Sequence, residues 1–113
     1  MYQLEEYLAQ DGKSPFNEWL RSLKDKRARA KIRTWLDRVM LGNFGDCEAI
    51  GSGLSELREH YGQGFRVYFT TVDQTIILLL AGSTKKDQDK AIKKAKEYYA
   101  DYRKRKGNDD GSK

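Results

Sequence analysis

The stretch "ELREHYGQGFRVYF", residues 56–69 of this 113-residue chain, alternates apolar and polar side chains on both sides of a glycine-rich turn. Such alternation reads as a β-hairpin with one apolar and one polar face. The polar face carries Glu56, Arg58, His60, Arg66 and Tyr68. Two arginines and the Tyr68 phenol suit a phosphodiester as catalytic groups, because each guanidinium can grip phosphate oxygens with paired N–H groups. Aimed at charge that develops in a transition state, they are catalytic rather than adhesive. His60, Glu56 or a lysine could move protons. Lys85 and Lys86 follow the next apolar strand and reach the same place if that strand neighbours Arg66. The plainer alternative is a solvated sheet face on which arginines and acids pair with one another.

The turn sets which residues meet across the hairpin. A two-residue turn at Gly62-Gln63 would place Arg58 opposite Val67, mixing polar with apolar. A three-residue loop, Gly62–Gly64, sets Arg58 opposite Tyr68, His60 opposite Arg66, Leu57 opposite Phe69 and Tyr61 opposite Phe65. Gly64 then supplies the left-handed residue such loops want. Glu59 falls on the apolar side, where it needs the sheet edge or a local partner. Other chemistries find less support. One His and one Cys cannot make a usual zinc site. A Cys47–His60 nucleophilic pair is a weak alternative, and no P-loop, GxGxxG or GxSxG pattern occurs.

Several elements must position these side chains. "SPFNEWLRSL" predicts a short helix, with Ser14 as N-cap, Pro15 in the first turn and Phe16, Trp19, Leu20 and Leu23 along one stripe. "DKRARAKIRTWLDRVMLG" predicts a second, with Ile32, Trp35, Leu36, Val39 and Met40 as its stripe and Gly42 as its stop. The short connection makes the two an αα-hairpin. "NFGDCEAIGSG" reads as a turn-rich link. "TIILLLAG" is a nearly unbroken apolar run, as in a strand covered on both faces. A third helix follows within residues 82–106, with Ala91, Ile92, Ala95, Tyr98, Tyr99 and Tyr102 as its stripe and a capping box from Thr84 and Asp87. "YQLEEYL" predicts an edge strand. The fold class is α+β, a mainly antiparallel sheet with the αα-hairpin on one face, a C-terminal helix, and the polar sheet face left open. One domain is expected over residues 1–106, with a disordered tail over 107–113.

Composition narrows the setting. Cys47 is the only cysteine, which excludes an intramolecular disulfide and fits a reducing compartment. No apolar run approaches the roughly 20 residues of a membrane span. The acidic start lacks a signal-peptide pattern, so a soluble, cytoplasmic protein is expected. The net charge of +5 is unevenly spread. Residues 21–38 hold eight Lys or Arg against two acids, and residues 84–106 hold ten against four. Two basic blocks around a mildly acidic centre suggest a polyanionic partner, nucleic acid first among them.

"GLSELREHYGQGFRVYF" followed by "IILLLAGSTKKDQDKAIKKAKEY" resembles the RelE/ParE toxin superfamily, in its HigB-like, phage-derived or addiction-module-killer branch. The resemblance covers about residues 14–100. It rests on Gly53-Leu54, Leu57-Arg58, the Gly64–Tyr68 run, and Leu80-Ala81-Gly82 with Lys85-Lys86. It implies a microbial-RNase fold and a type II toxin silenced by a small antitoxin, a helix-turn-helix protein, through which alone the toxin would meet operator DNA. For the RelE and HigB branches it implies metal-independent, cofactor-free cleavage of mRNA in the ribosomal A site, the 2′-hydroxyl attacking phosphorus and the 5′-oxygen leaving. Arg66 then matches the phosphate-stabilising arginine, Arg58 the Leu-Arg position, and Lys86 or Lys85 the basic residue after the last strand. The base is Glu56 or His60, because no lysine occupies Leu54-Ser55-Glu56. Tyr98 and Tyr99 lie too late for the family's functional tyrosine. Arg27, Arg29, Lys31, Arg33, Lys90, Lys93 and Lys94 would dock on ribosomal RNA. A ParE-like gyrase poison that cuts nothing, and an inactive antitoxin-binding relic, are the competing readings.

Overall fold

A computed structural model describes residues 1–110. It contains β1 (Gln3–Glu6), α1 (Pro15–Ser22), α2 (Lys26–Met40), β2 (Cys47–Gly51), β3 (Leu54–Glu59), β4 (Phe65–Val72), β5 (Ile76–Thr84), a single 3-10 turn (Lys85–Asp87) and α3 (Gln88–Asp110). Of the tail expected over 107–113, residues 107–110 continue α3, and 111–113 lie outside the described residues. The five strands form one mixed sheet in the order β1-β5-β4-β3-β2. Only β1 runs parallel to its neighbour. The class is α+β.

Capping explains where the first helices start. Ser14 Oγ accepts the Asn17 N–H at 3.0 Å, with Pro15 in the first turn. Asp25 accepts the N–H groups of Arg27 and Ala28, and the Arg29 guanidinium ties α2 back to the Leu23 carbonyl of α1. Each cap satisfies donors that the helix itself leaves free. Phe16 and Leu20 from α1, and Ala28, Ile32, Trp35, Leu36 and Val39 from α2, bury against Leu57, Phe65, Val67, Phe69, Ile77 and Leu79 of the sheet. The expected Thr84–Asp87 box takes another form. Thr84 caps the 3-10 turn with no side-chain bond to backbone, its hydroxyl donating weakly to Asp87 at 3.4 Å.

The opposite sheet face is not open. There α3 covers Leu54, Tyr68, Leu78, Leu80 and Ala81 with Ala95 and a flank of tyrosines. The reason lies in β5, where Ile77, Leu78, Leu79 and Leu80 are all essentially unexposed. Successive strand residues point to opposite faces, so a run of four such side chains needs a cover on each. Each is worth roughly 1.5–3 kcal/mol when buried, and α3 supplies the second cover. Its far end is fastened to the residues just after β1. Tyr7 Oη donates to Asp101 at 2.6 Å, Arg105 bonds the same carboxylate and the Leu8 carbonyl, and the Tyr7 and Tyr98 rings stack at 5.2 Å.

Two more expectations change. The "CEAIG" segment of the supposed link is β2, antiparallel to β3. A tight turn through Gly51, Ser52 and Gly53, all at positive φ, joins them. The hairpin register is also different. The pairs are Arg58 with Arg66, Glu56 with Tyr68, Leu57 with Val67 and Glu59 with Phe65. The connection is therefore His60–Gly64, wider than the three-residue loop expected. Gly62 and Gly64 both adopt positive φ, and Tyr61 accepts the Gly64 N–H at 3.0 Å. The slip is by an even number of residues, so every strand side chain keeps its face. His60 alone leaves the ladder. Glu59 finds a local partner, accepting the Tyr61 N–H at 3.2 Å.

A bulge in β5 positions the end of that strand. Tyr68 pairs with Ala81 but Phe69 with Leu79, which makes Leu80 the extra residue. Past the bulge the faces swap. Ser83 joins the α3 side, and Gly82 turns toward α1. Trp19 lies directly on Gly82, where an added Cβ would stand 2.1 Å from its ring. Gly82→Ala must push that ring away. It is expected to cost about 1–3 kcal/mol and to lower the melting temperature by several degrees, read by thermal unfolding followed by circular dichroism.

Candidate active site

The α3-facing side of β2, β3 and β4 brings charged residues into rows. Glu48 lies opposite Glu56, and Arg58 opposite Arg66. Like charges directly opposite each other ordinarily destabilise a sheet. Here each like pair is bridged by the other kind. Arg58 donates from Nε to Glu56 Oε1 at 2.9 Å and from Nη2 to Glu48, with Asp46 3.9 Å from Nη1. The bond to Glu56 is the main reason the Arg58 pKa is raised, Glu48 adding to it.

Glu56 is wholly buried. Its second oxygen, Oε2, accepts from Gln88 Nε2 at 2.7 Å and lies 3.8 Å from Arg66 Nε. Gln88 is the first residue of α3, so this helix is latched onto the carboxylate it covers. With both oxygens engaged and no exposure, Glu56 is an organiser of the arginines.

Arg66 is in a different state. It is only 6% exposed. Nη1 donates at 3.3 Å to the Phe65 carbonyl, and Nε has no hydrogen-bond partner among the described residues. Gly64 borders the guanidinium, its missing Cβ falling 3.8 Å from Nη1 and 3.7 Å from Lys85 Cβ. Lys85 donates its backbone N–H to the Gly64 carbonyl at 3.3 Å. Arg66 and Lys85 thus converge at one end of β4, as expected for β5 beside β4. Lys86 lies next on the 3-10 turn, exposed.

Tyr68, expected on an open face, is fully enclosed. Ser83 Oγ donates to the Thr84 carbonyl and shares a 2.9 Å bond with Tyr68 Oη. Burial pushes the Tyr68 pKa up to about 12, with the Glu56 charge adding and Ser83 and Arg66 opposing. The phenol is therefore neutral at physiological pH. His60, expected opposite Arg66, projects from the loop instead, and its Nε2 lies 2.7 Å from Asp46 Oδ2. Asp46 thereby touches both His60 and Arg58. Burial raises the Cys47 thiol pKa, Asp46 adding to it, and His60 is already taken up by Asp46. A Cys47–His60 pair has no support.

The basic blocks divide. Arg27 and Arg33 are exposed, Arg29 is tied to Leu23, and Lys31 sits 5.2 Å over the Tyr61 ring beside the hairpin loop. Lys90, Lys93 and Lys94 are exposed on α3. Four residues that sequence reasoning missed complete the cluster, namely Asp46, Glu48, Ser83 and Gln88. Three of them arrive by strand pairing or helix docking, which local pattern does not announce. Glu48 carried a faint signal, as an acid just upstream of an arginine-bearing strand.

The span from α1 through the hairpin and β5 into α3 corresponds to a known sequence family. Residues 18–104 match the family described as "Phage derived protein Gp49-like (DUF891)". The chain belongs to that family. The Gp49-like proteins are RelE/ParE-like toxins associated with toxin–antitoxin systems, and membership suggests an antitoxin partner. A protein of Haemophilus influenzae (strain ATCC 51907 / DSM 11121 / KW20 / Rd), described only as an uncharacterized protein, is 46% identical over 81 residues, which is 72% of this chain and 82% of that one. Arg58, Arg66, Lys85 and Lys86 all fall inside the matched family span. No helix among the described residues is long and apolar enough to cross a membrane.

Two measurements test this construction. Glu56→Ala leaves Arg58 and Arg66 facing each other without the carboxylate between them. A loss of about 3 kcal/mol or more is expected in urea unfolding, with Glu56→Gln losing less. Tyr68 gives a pH signature. Its folded pKa lies above the ordinary tyrosine value of about 10, so its contribution is complete below pH 10 and falls as the unfolded chain ionises between pH 10 and about 12. Tyr68→Phe should remove on the order of 1 kcal/mol of the stability lost between pH 9 and pH 11, read from urea midpoints at the two values.

Proposed function

We propose that this Gp49-like protein is a ribosome-dependent mRNA endonuclease with a RelE-like fold, closest in character to the HigB-like toxins, and that it stops translation in the cytoplasm until a small antitoxin holds it. The observation that carries this reading is Arg66, a nearly buried guanidinium in a toxin of this family, whose Nε makes no hydrogen bond among the described residues and has only the Glu56 carboxylate at 3.8 Å. A buried cation with unused donors costs free energy unless an anion completes it. A phosphate is such an anion, and Lys85 stands beside the same end of the strand.

The chemistry needs a base, an acid and charge stabilisation. The RNA 2′-hydroxyl attacks the adjacent phosphorus, the bond from phosphorus to the 5′-oxygen breaks, that oxygen leaves with a proton from Lys85 or Lys86 as the acid, and a 2′,3′-cyclic phosphate and a 5′-hydroxyl result. Of the two bases considered, His60 is favoured, since it is exposed while Glu56 is enclosed and doubly bonded. With Nε2–H given to Asp46, Nδ1 is free to take the 2′-hydroxyl proton. Arg66 stabilises the extra negative charge on the phosphate, with Lys85 and Lys86 nearby. Arg58 keeps the row of charges in place. Arg27, Arg33 and Lys93 serve as salt-sensitive contacts to ribosomal RNA, Lys90 and Lys94 as further RNA contacts, and the ribosome orients the mRNA.

One observation favours the rival gyrase-poison reading. Three carboxylates already surround Arg58, which weakens it as a phosphate ligand. Primer extension on an mRNA in a cell-free translation reaction decides between them. Wild type should give codon-registered cuts only when ribosomes are present. Arg66→Ala should cut about 10²–10³-fold more slowly. Intact mRNA, at protein levels that arrest growing cells, would discard the nuclease and leave the polar residues as a binding surface.

A further inference from the structure

β1 ends at Glu6, paired with Leu79. The chain then turns away through residues 8–13, where Ala9 and Lys13 bond across the turn. The last residues of β5, from Leu80 to Thr84, consequently have no strand on that side. A cleft of about 460 Å³ fills the gap between α1 and the start of α3. Gly82 and Ser83 form its floor, Trp19 and Tyr98 its aromatic walls, and Lys90 and Lys94 its rim.

Three features bear on what would occupy it. Trp19 is only half-buried, yet its ring is fixed by Phe16, Phe65 and the bare backbone of Gly82. A ring held this way loses little freedom when another flat group packs on it. Lys90 and Lys94 stand four residues apart on one side of α3, and so present two cations to the same rim. Asp87 also borders the cleft, and Glu97 lies 3.9 Å from Lys94, so the rim is basic but not uniformly so. Finally, Ser83 belongs both to this floor and to the Tyr68 hydrogen bond, and it is the strand partner of Arg66. The cleft therefore begins one strand away from the guanidinium proposed to hold the scissile phosphate.

We propose that this cleft is a nucleotide subsite, in which a base beside the cleaved position stacks against Trp19 and its flanking phosphate is taken by Lys90 and Lys94. The inference rests on the endonuclease reading and deepens it by assigning a second RNA contact that selects sequence. Stacking on an aromatic ring is worth about 1–3 kcal/mol per base. Lysines supply point charges that do not discriminate among bases, so any preference comes from the shape of the Trp19 wall.

Trp19 offers its own probe. The chain has two tryptophans, and Trp35 is buried in the α2 core. Titration with 2′-deoxy trinucleotides, which lack the attacking hydroxyl and cannot be cut, should quench Trp19 fluorescence saturably. In Lys90→Gln/Lys94→Gln the midpoint should rise roughly tenfold, and in Trp19→Leu the nucleotide preference beside the cut in primer extension should change. No saturable quenching at millimolar trinucleotide, or an unchanged midpoint in the double variant, would overturn the subsite and leave the cleft to an acidic peptide of the antitoxin. Quenching without any ribosome-dependent cutting would support the subsite while rejecting the endonuclease. Cutting without quenching would do the reverse.

Discussion

A carboxylate with no exposure to water needs neighbours that replace the hydrogen bonds it has lost. Glu56 has found them in three directions, and the architecture around it follows from that need. Toward β2 it is opposed by Glu48 and reconciled with it by Arg58. Toward β4 it stands between Arg58 and Arg66, which are strand partners and would otherwise repel. From above it takes a hydrogen bond from Gln88 and so fixes where α3 begins. Both neighbouring strands and the helix above them meet at this side chain. A buried ion pair of this kind is weak as a source of net stability. Its effect is to exclude other registers and other helix positions, since each would strand a charge.

The second constraint is the bulge at Leu80. Without the extra residue, β5 would keep its alternation to the end, and Ser83 would face α1 while Gly82 faced α3. The insertion reverses this. Ser83 reaches Tyr68, which keeps that buried phenol satisfied. Gly82 offers Trp19 a surface without a side chain. One inserted residue thus serves the polar cluster on one face and the aromatic packing on the other. It also carries Lys85 to a point where its backbone can bond Gly64. Bulges commonly re-aim side chains near functional sites, and this one aims two at once.

Much of the fold could be read from local signals. The caps at Ser14 and the stripes of α1 and α2 are short-range features, satisfied within a few turns of helix. The unbroken run in β5 even contained the information that both sheet faces are covered, although the polar hairpin face drew attention to an open one. β2 was not legible, because a five-residue strand between glycines carries almost no periodicity. The hairpin loop misled for a related reason. Gly62 and Gly64 both permit left-handed backbone, and two permissive residues allow more than one turn. The even slip preserved faces, so Glu56, Arg58, Arg66 and Tyr68 were grouped correctly while their partners were not. Asp46, Ser83 and Gln88 were invisible for a deeper reason. Their roles depend on which strand lies beside which, and on where a helix lands, and those are decided by the whole core.

The pairing of Arg58 with Arg66 makes two chemically identical groups unequal. An incoming phosphate would have to compete with Asp46, Glu48 and Glu56 for Arg58, and each of those carboxylates is already in place. At Arg66 it meets one carboxylate 3.8 Å from Nε and no hydrogen bond to that atom. The attraction available to a phosphate is therefore concentrated at the more buried arginine, where charge is least screened. Burial raises the question of access, and Gly64 answers it in the proposed reaction. It is the residue next to Nη1 that has no side chain to stand in the way. Lys85 stands on the other side of Gly64, its Cβ 3.7 Å from the missing Cβ and its backbone bonded to the Gly64 carbonyl. The glycine that ends the hairpin loop is thus also the residue that lets the Arg66 guanidinium and the start of the 3-10 turn lie side by side, so loop geometry and the placing of these two cationic residues are a single property of this hairpin.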